Sequence, residues 1–273
     1  MLTIAAWLAG AGACVYGGIA LAAFFGQRSL LYPVPSHDVE PRAEGAALVK
    51  ITGDNGAIVY GLHAPAPPGA PTLVHFHGNG EDLAGQALLV SGLRRAGVGV
   101  YAVEYPGYGL ARGQPIDETS IYAAAEASLH FLIEGGVPRE SIVLQGQSLG
   151  TGVAVEMARR GYGARLILIS PFTSIVDMAA LLIPFLPVRY LVRDRYESEQ
   201  KVASLALPAL VMHGTHDEVV PQRMGRRIAE LLPDAEFISI PGGRHNDLFD
   251  NDHVDVLAKI AAFACGTAPS AHP

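Results

Sequence analysis

Residues 141–160 read SIVLQGQSLGTGVAVEMARR. The first five are a short apolar run of strand character, and the last twelve carry helical spacing. Between them lies Gly146-Gln147-Ser148-Leu149-Gly150. A serine at a sharp strand-to-helix turn needs small neighbours, because the backbone there is strained and crowded. Gly146 and Gly150 meet that need. Gly152 would let the helix lie close to the sheet. The turn lifts the Ser148 hydroxyl above the sheet edge. The helix N-terminus beyond it offers backbone N–H groups and a positive dipole end to developing negative charge. The competing role for Ser148 is a structural helix cap.

Working outward, short apolar runs read as buried strands at 72–76, 98–103, 141–145, 166–169, 207–212 and 236–240. Helix-like stretches lie between or beyond them, at 82–95, 120–134, 149–160, 222–232 and 254–262. Strands alternating with helices of this length make an α/β protein with a largely parallel sheet. The runs lack polar alternation, as expected when helices cover both sheet faces. Two earlier candidates, 47–52 and 57–63, flank Gly53-Asp54-Asn55-Gly56, whose composition suits a hairpin turn. The sheet is therefore expected to begin antiparallel and continue parallel. The segment 172–196, FTSIVDMAALLIPFLPVRYLVRDRY, breaks the alternation and holds Pro184 and Pro187. It reads either as one or two short helices capping the carboxyl edge of the sheet, or as a crossover helix broken by proline.

Serine is a weak nucleophile and needs a base, which needs an orienting acid. Asp217 lies after the strand ending near Met212, and His245 after the strand ending at Ile240. Parallel strands put their carboxyl ends at one edge, so the three loops can converge there. The expected roles are Ser148 as nucleophile, His245 as general base and then acid, and Asp217 as orienter. Glu218, Asp247, His213, His216 and His253 are the nearby competitors. An oxyanion hole needs two N–H donors; Leu149 follows the nucleophile, and Asn79 lies in His77-Gly78-Asn79-Gly80 after an earlier strand. His75 and His77 would share a strand face. No carboxylate or cysteine cluster of zinc spacing accompanies them, so no metal site is expected. Tyr105, in Tyr105-Pro106-Gly107-Tyr108-Gly109, either lines the pocket mouth or belongs to a rigid loop packed on the sheet edge. Phe172 and Met178 are the apolar candidates for contacting substrate.

The chain has 273 residues, of which 50% are hydrophobic and 16% charged, a balance opposite to that of disordered chains. A net charge of −7 with no basic run argues against nucleic-acid binding. Two cysteines, Cys14 and Cys265, exclude a disulfide framework. The first 27 residues carry no charged side chain. Residues 2–26 would span roughly 37 Å as a helix, enough to cross a bilayer of about 30 Å. We expect 1–26 to be a single transmembrane anchor, with a cleaved signal peptide and a lipoprotein segment as rivals. Arg28 and Arg42 after the span weakly favour a cytoplasmic catalytic domain. That domain is expected over 27–266, its cap near 172–200, and a disordered tail over 267–273.

The motifs QRSLLYP (27–33), HFHGNG (75–80), EYPGYG (104–109), GQSLG (146–150), SPFTS (170–174), HGTHDEVVP (213–221) and GGRHNDL (242–248) occur in this order along nearly the whole chain. Together they resemble the α/β-hydrolase superfamily, and within it single-span, membrane-anchored α/β-hydrolase-domain proteins and the serine-aminopeptidase-like family. The resemblance implies the α/β-hydrolase fold and a cofactor-free serine hydrolase. It places Ser148, Asp217 and His245 at the triad positions and Asn79 and Leu149 at the oxyanion positions. Esterases, lipid hydrolases and thioesterases are among such relatives. The triad order and the apolar segment around 178–186 lead us to expect an acyl hydrolase of a hydrophobic, lipid-like carboxylic ester or thioester. Peptide or amide hydrolysis is the second reading, and a non-catalytic, membrane-tethered binding protein the third.

Overall fold

The computed structural model describes residues 2–35, 39–53 and 56–266. The tail at 267–273 and the hairpin tip at 54–55 lie outside them. Among the described residues, eight strands form one sheet: β1 (Ala47–Thr52), β2 (Ile58–Ala64), β3 (Thr72–Phe76), β4 (Gly99–Val103), β5 (Ile142–Gln147), β6 (Arg165–Ile169), β7 (Ala209–Gly214) and β8 (Ala235–Ile240). Their spatial order is β1-β2-β4-β3-β5-β6-β7-β8. β2 runs antiparallel to both β1 and β4, and every other neighbouring pair is parallel.

Alternate strand residues feed two cores. On one face Val74, Phe76, Leu144, Leu168 and Val211 pack under α3 (Glu118–Glu134), α4 (Leu149–Arg159) and α8 (Gln222–Leu231). On the other, Leu73, Val143, Ile167, Leu210 and Met212 pack under α2 (Ala87–Arg95) and α9 (Val256–Ala264). Both faces are dry, which explains strands with no polar alternation. Helix starts follow their caps. Asp117 and Ser120 form a reciprocal capping box, so α3 opens at Glu118, two residues before the apolar pattern suggests. Asp255 caps α9 by accepting the Ala258 N–H, without the reciprocal bond, and moves its start to Val256.

The topology locates the site. The chain passes from β3 to β4 by way of α2 on one face, then returns by α3 on the other to place β5 on the far side of β3. The strand order reverses between β3 and β5, and a crevice opens outside their carboxyl ends. The loop beginning at His77 and the turn at Ser148 both lie there.

Between β6 and β7 come three short helices: α5 (Ile175–Leu182), α6 (Val188–Leu191) and α7 (Ser198–Val202). Ser174 caps α5 by accepting the Asp177 N–H. Pro184 stops α5 by forcing Ile183 out of helical geometry, to φ −133° and ψ 63°. Pro187 stands just before α6. The prolines thus divide the cap segment into two helices rather than breaking one crossover.

The N-terminal helix α1 (Leu2–Leu31) is apolar and long enough to cross a bilayer. It runs five residues past Gly26, where the uncharged stretch suggests an end. The extra turn is held by the cap. Arg28 Nε and Nη2 donate to Asp194 at 2.9 and 3.1 Å, and Gln27 Nε2 donates to the Leu191 carbonyl at 3.0 Å. The Gln27 side-chain oxygen accepts the Arg193 N–H at 2.8 Å.

Candidate active site

Ser148 sits between β5 and α4 at φ 48° and ψ −116°, a left-handed conformation costly for a residue with a Cβ. Its N–H donates to the Ile169 carbonyl at 2.9 Å and its carbonyl accepts the Thr151 N–H at 2.9 Å, which fixes the turn. The flanking glycines are steric necessities. A methyl on Gly146 would meet the Gly150 carbonyl, and one on Gly150 the Phe76 carbonyl. Gly152 serves a different neighbour from the one expected. It faces the rings of Tyr196 and Phe172 at the base of the cap, not the sheet.

Backbone bonds continue past the strand ends and draw the loops together. The Ser170 N–H donates to Met212 O at 2.9 Å, Thr215 N–H to Ile240 O at 3.0 Å, and His216 N–H to Gly243 O at 2.9 Å. His245 arrives with Nε2 2.9 Å from Ser148 Oγ and Nδ1 2.8 Å from Asp217 Oδ2. The Asp217 side chain is fully buried and that of His245 nearly so. Burial by itself would raise the Asp217 pKa. Hydrogen bonds from His213 and His245, the charge of His245 and the Val220 N–H outweigh it, holding the carboxyl well below its ordinary range. Asp217 Oδ1 also accepts the N–H groups of Val219 and Val220 at 3.0 and 2.8 Å.

Ser170 is the residue that sequence reasoning missed. Its Oγ donates to Asp217 Oδ2 at 2.8 Å, and it too has a positive φ, 48°. The available signal was its place in SPFTS, directly after a strand adjacent to the one that leads into Ser148. The competitors fall away from Ser148. His213 is buried, with Nε2 2.9 Å from the Val220 carbonyl and 3.2 Å from Asp217 Oδ2. Glu218 pairs with Arg244 at the surface, and the Asp247 side chain accepts the Arg244 N–H.

Across the crevice, the Gly78 N–H donates to Glu81 Oε2 at 3.0 Å. That donor is occupied, and Asn79 is the next N–H along. Asn79 is held in turn by the Tyr108 hydroxyl, which donates to its Oδ1 at 2.8 Å. Leu149 opens α4, so its N–H has no helical carbonyl four residues back. Asn79, Leu149, Ser148 and His245 all border one cavity of about 590 Å³.

The rest of its wall is mostly apolar and includes Phe172, Met178, Leu182 and Val188 from the cap, with Ala23, Leu30 and Leu31 from α1. Phe172 and Met178 thus line the cavity that Ser148 borders. Tyr105 is not among the lining residues. It is fully buried, its ring stacks on His77 with centroids 4.0 Å apart, and its hydroxyl donates to the His77 carbonyl at 2.9 Å. The substrate-contact expectation for Tyr105 is corrected to the packed-loop alternative, because this anchoring turns its ring inward.

His75 and His77 are buried among polar neighbours. His75 Nδ1 bonds Gln145, and Nε2 lies 2.9 Å from Gln86 Oε1. Burial pushes its pKa down to about 4 despite these bonds. Burial acts in the same direction on His77. The adjacent Glu104, 3.4 Å away, and the Gly78 carbonyl outweigh it and raise its pKa. No group of three or more metal-ligating side chains gathers among the described residues.

Two family models match the chain, one described as serine aminopeptidase over residues 68–196 and one as alpha/beta hydrolase fold over residues 187–252. An uncharacterized protein of Mycobacterium tuberculosis is 33% identical over 94% of this chain and 93% of its own length. The alpha/beta hydrolase domain-containing protein aho-3 of Caenorhabditis elegans is 36% identical over 73% of this chain and 59% of its own. Among solved structures, a Pyrococcus furiosus esterase superposes with a TM-score of 0.69 at 15% identity, over 84% of this chain and 97% of that one. That last likeness is one of fold. The two matching models, which together run from residue 68 to 252, and the alpha/beta hydrolase domain-containing relative show that the chain belongs to the α/β-hydrolase family.

Proposed function

We propose that the protein is a serine hydrolase that cleaves carboxylic ester or thioester bonds of a hydrophobic acyl substrate, held at a membrane by α1. The observation that carries this reading is the continuous line Ser148 Oγ, His245, Asp217, with 2.9 and 2.8 Å contacts, at the edge of an apolar cavity. Ser148 Oγ attacks the acyl carbon as its proton passes to His245 Nε2. The carbonyl oxygen, now negative, is received by the Asn79 and Leu149 N–H groups. Collapse expels the alcohol or thiol, which takes the proton from His245. A water deprotonated by the same histidine then attacks the acyl-enzyme, and Ser148 leaves with that proton. Asp217 keeps the imidazole oriented and offsets its charge while it is protonated.

A second reading, peptide hydrolysis, draws support from the aminopeptidase description of one matching family model. A free peptide amine needs an unengaged carboxylate beside the scissile bond. Glu81 is the acidic residue lining the cavity, and it already accepts from Gly78, Gln86 and Gln147. Asp177 is turned back onto Thr173 and Ser174. Parallel turnover of acyl p-nitrophenyl esters and aminoacyl anilides tests the choice. Faster turnover of the acyl esters is expected, and a preference for the anilides would reverse the two readings.

A further inference from the structure

α1 divides into two unequal parts. From Thr3 to Tyr16 every residue is exposed. From Gly17 onward one face is partly covered, at Gly17, Ala20, Ala23, Phe24, Gln27, Arg28 and Leu31, the helical spacing of a packed stripe, and Gly26 off that stripe is partly covered too. The cap lies on that stripe. α6 packs against α1, and the Tyr16 hydroxyl donates to the Phe185 carbonyl at 3.0 Å. The free part, Leu2 to Tyr16, is about 22 Å long, whereas a bilayer's hydrocarbon is about 30 Å thick. The free part falls short by about 8 Å, or roughly five residues. Those five are Gly17 to Leu21, already alongside the cap.

The cap residues at this level suit such a place. Leu182 is 77% exposed, Phe185 61% and Tyr190 78%, unusual values for large apolar side chains on one short segment. Arg193 stands above them with its guanidinium over the Phe24 ring, and Arg189 over Tyr190. Phe24 lies about 4 Å beyond Leu21 along the helix, the level of lipid headgroups, where arginine beside an aromatic ring is stable. The cavity wall includes Leu182 from the exposed cap edge and Ala23 from the adjoining turn of α1.

We infer that the cap tip around Phe185 is seated in the outer hydrocarbon layer beside α1, so that an acyl chain enters the cavity from the lipid phase. α1 is then one wall of the acyl site as well as a tether. The inference rests on reading α1 as a span and the cavity as an acyl site. Its test by fluorescence does not depend on catalysis.

Trp7 is the chain's single tryptophan, so Trp7→Phe with Phe185→Trp makes a single-reporter variant of the full chain. The same background with Tyr190→Trp gives a second reporter, and with Leu88→Trp a control on the exposed side of α2. Each is placed in phosphatidylcholine nanodiscs, plain or brominated near the carbonyl end of the acyl chains. The reporters at 185 and 190, like wild-type Trp7, are expected to lose about half their emission in brominated lipid, while the reporter at 88 keeps its own. Unquenched emission at both 185 and 190 overturns the inference, whether Trp7 is quenched (a span without a seated cap) or not (no span). Phe185→Asp, which leaves the cavity wall intact, should slow hydrolysis of a long-chain acyl ester in the bilayer at least fivefold. Its turnover of a short, water-soluble ester should be unchanged. Equal loss on both substrates contradicts entry from the lipid.

Discussion

Ser170 and Ser148 occupy equivalent positions on neighbouring strands, each at φ 48°, each one step beyond the last ladder bond. Strain at two adjacent strand ends persists because hydrogen bonds over-determine both turns. One serine presents its hydroxyl to His245, and the other to Asp217. Asp217 gathers its donors from four places: Ser170, the imidazoles of His245 and His213, and the Val219 and Val220 N–H groups. Ser170→Ala removes one of them and leaves a buried carboxylate under-satisfied, at a cost of about 1–2 kcal/mol. The expected outcome is a kcat lowered about tenfold with KM nearly unchanged, measured on a soluble acyl ester. An unchanged kcat would show that Ser170 only packs. The three residues Ser148, Asp217 and His245 were legible in the sequence because each follows a strand run and precedes a turn or helix signal. Ser170 meets the same criterion but lacks an obvious chemical task, since its partner is a carboxylate forty-seven positions away. Tyr105 misled for the opposite reason. An aromatic residue at a strand end reads as a pocket wall, and only packing against His77 shows that it turns inward.

Elements explain what the residue pattern left open. The sequence of 172–196 allowed a cap or a broken crossover, because two prolines in an apolar stretch suit both. The prolines divide the segment, and α1 docks on it through Gln27 and Arg28, with Tyr32 just past the end of α1 joining Tyr196. No local signal links residue 28 to residue 194. Asp194 is nearly buried, so Arg28→Ala strands its charge; because Arg28 itself is a third exposed, about 2 kcal/mol is expected. A thermal melt should show Tm lower by roughly 5 °C, with a smaller loss for Arg28→Lys. A second tie joins α4 to α7. Burial alone would raise the Glu156 pKa, but Arg159, Lys201 and Arg160 hold it at about 2. A carboxylate with a lowered folded pKa stabilises the fold above its unfolded value of about 4.3, and that stabilisation fades as pH falls toward the folded value. Wild-type stability should therefore decline between about pH 4.5 and about pH 2, and Glu156→Gln should be less stable at pH 7 but flatter across that window. Urea titrations at several pH values read both.

At the scale of the whole molecule, strand alternation was enough to read an α/β sheet with an antiparallel start, and the reversal of strand order at β3 and β5 then fixes where chemistry can occur. What composition could not reveal is that the uncharged N-terminal stretch and the catalytic domain share a wall. Apolar residues suited to lipid and apolar residues that line a pocket look alike in sequence, and here Ala23, Leu30 and Leu31 of one long apolar helix line the cavity. If α1 spans a bilayer, full-length protein stays in the pellet when membranes are washed with alkaline carbonate; release of the intact chain would contradict the anchor. The most direct test of the catalytic reading is labelling with a fluorophosphonate, which reacts only with a serine activated by its base. Peptide mapping should find the adduct on Ser148, and Ser148→Ala, still melting cooperatively, should carry none. An adduct retained by Ser148→Ala, or a folded wild-type protein that takes up no probe, would contradict it.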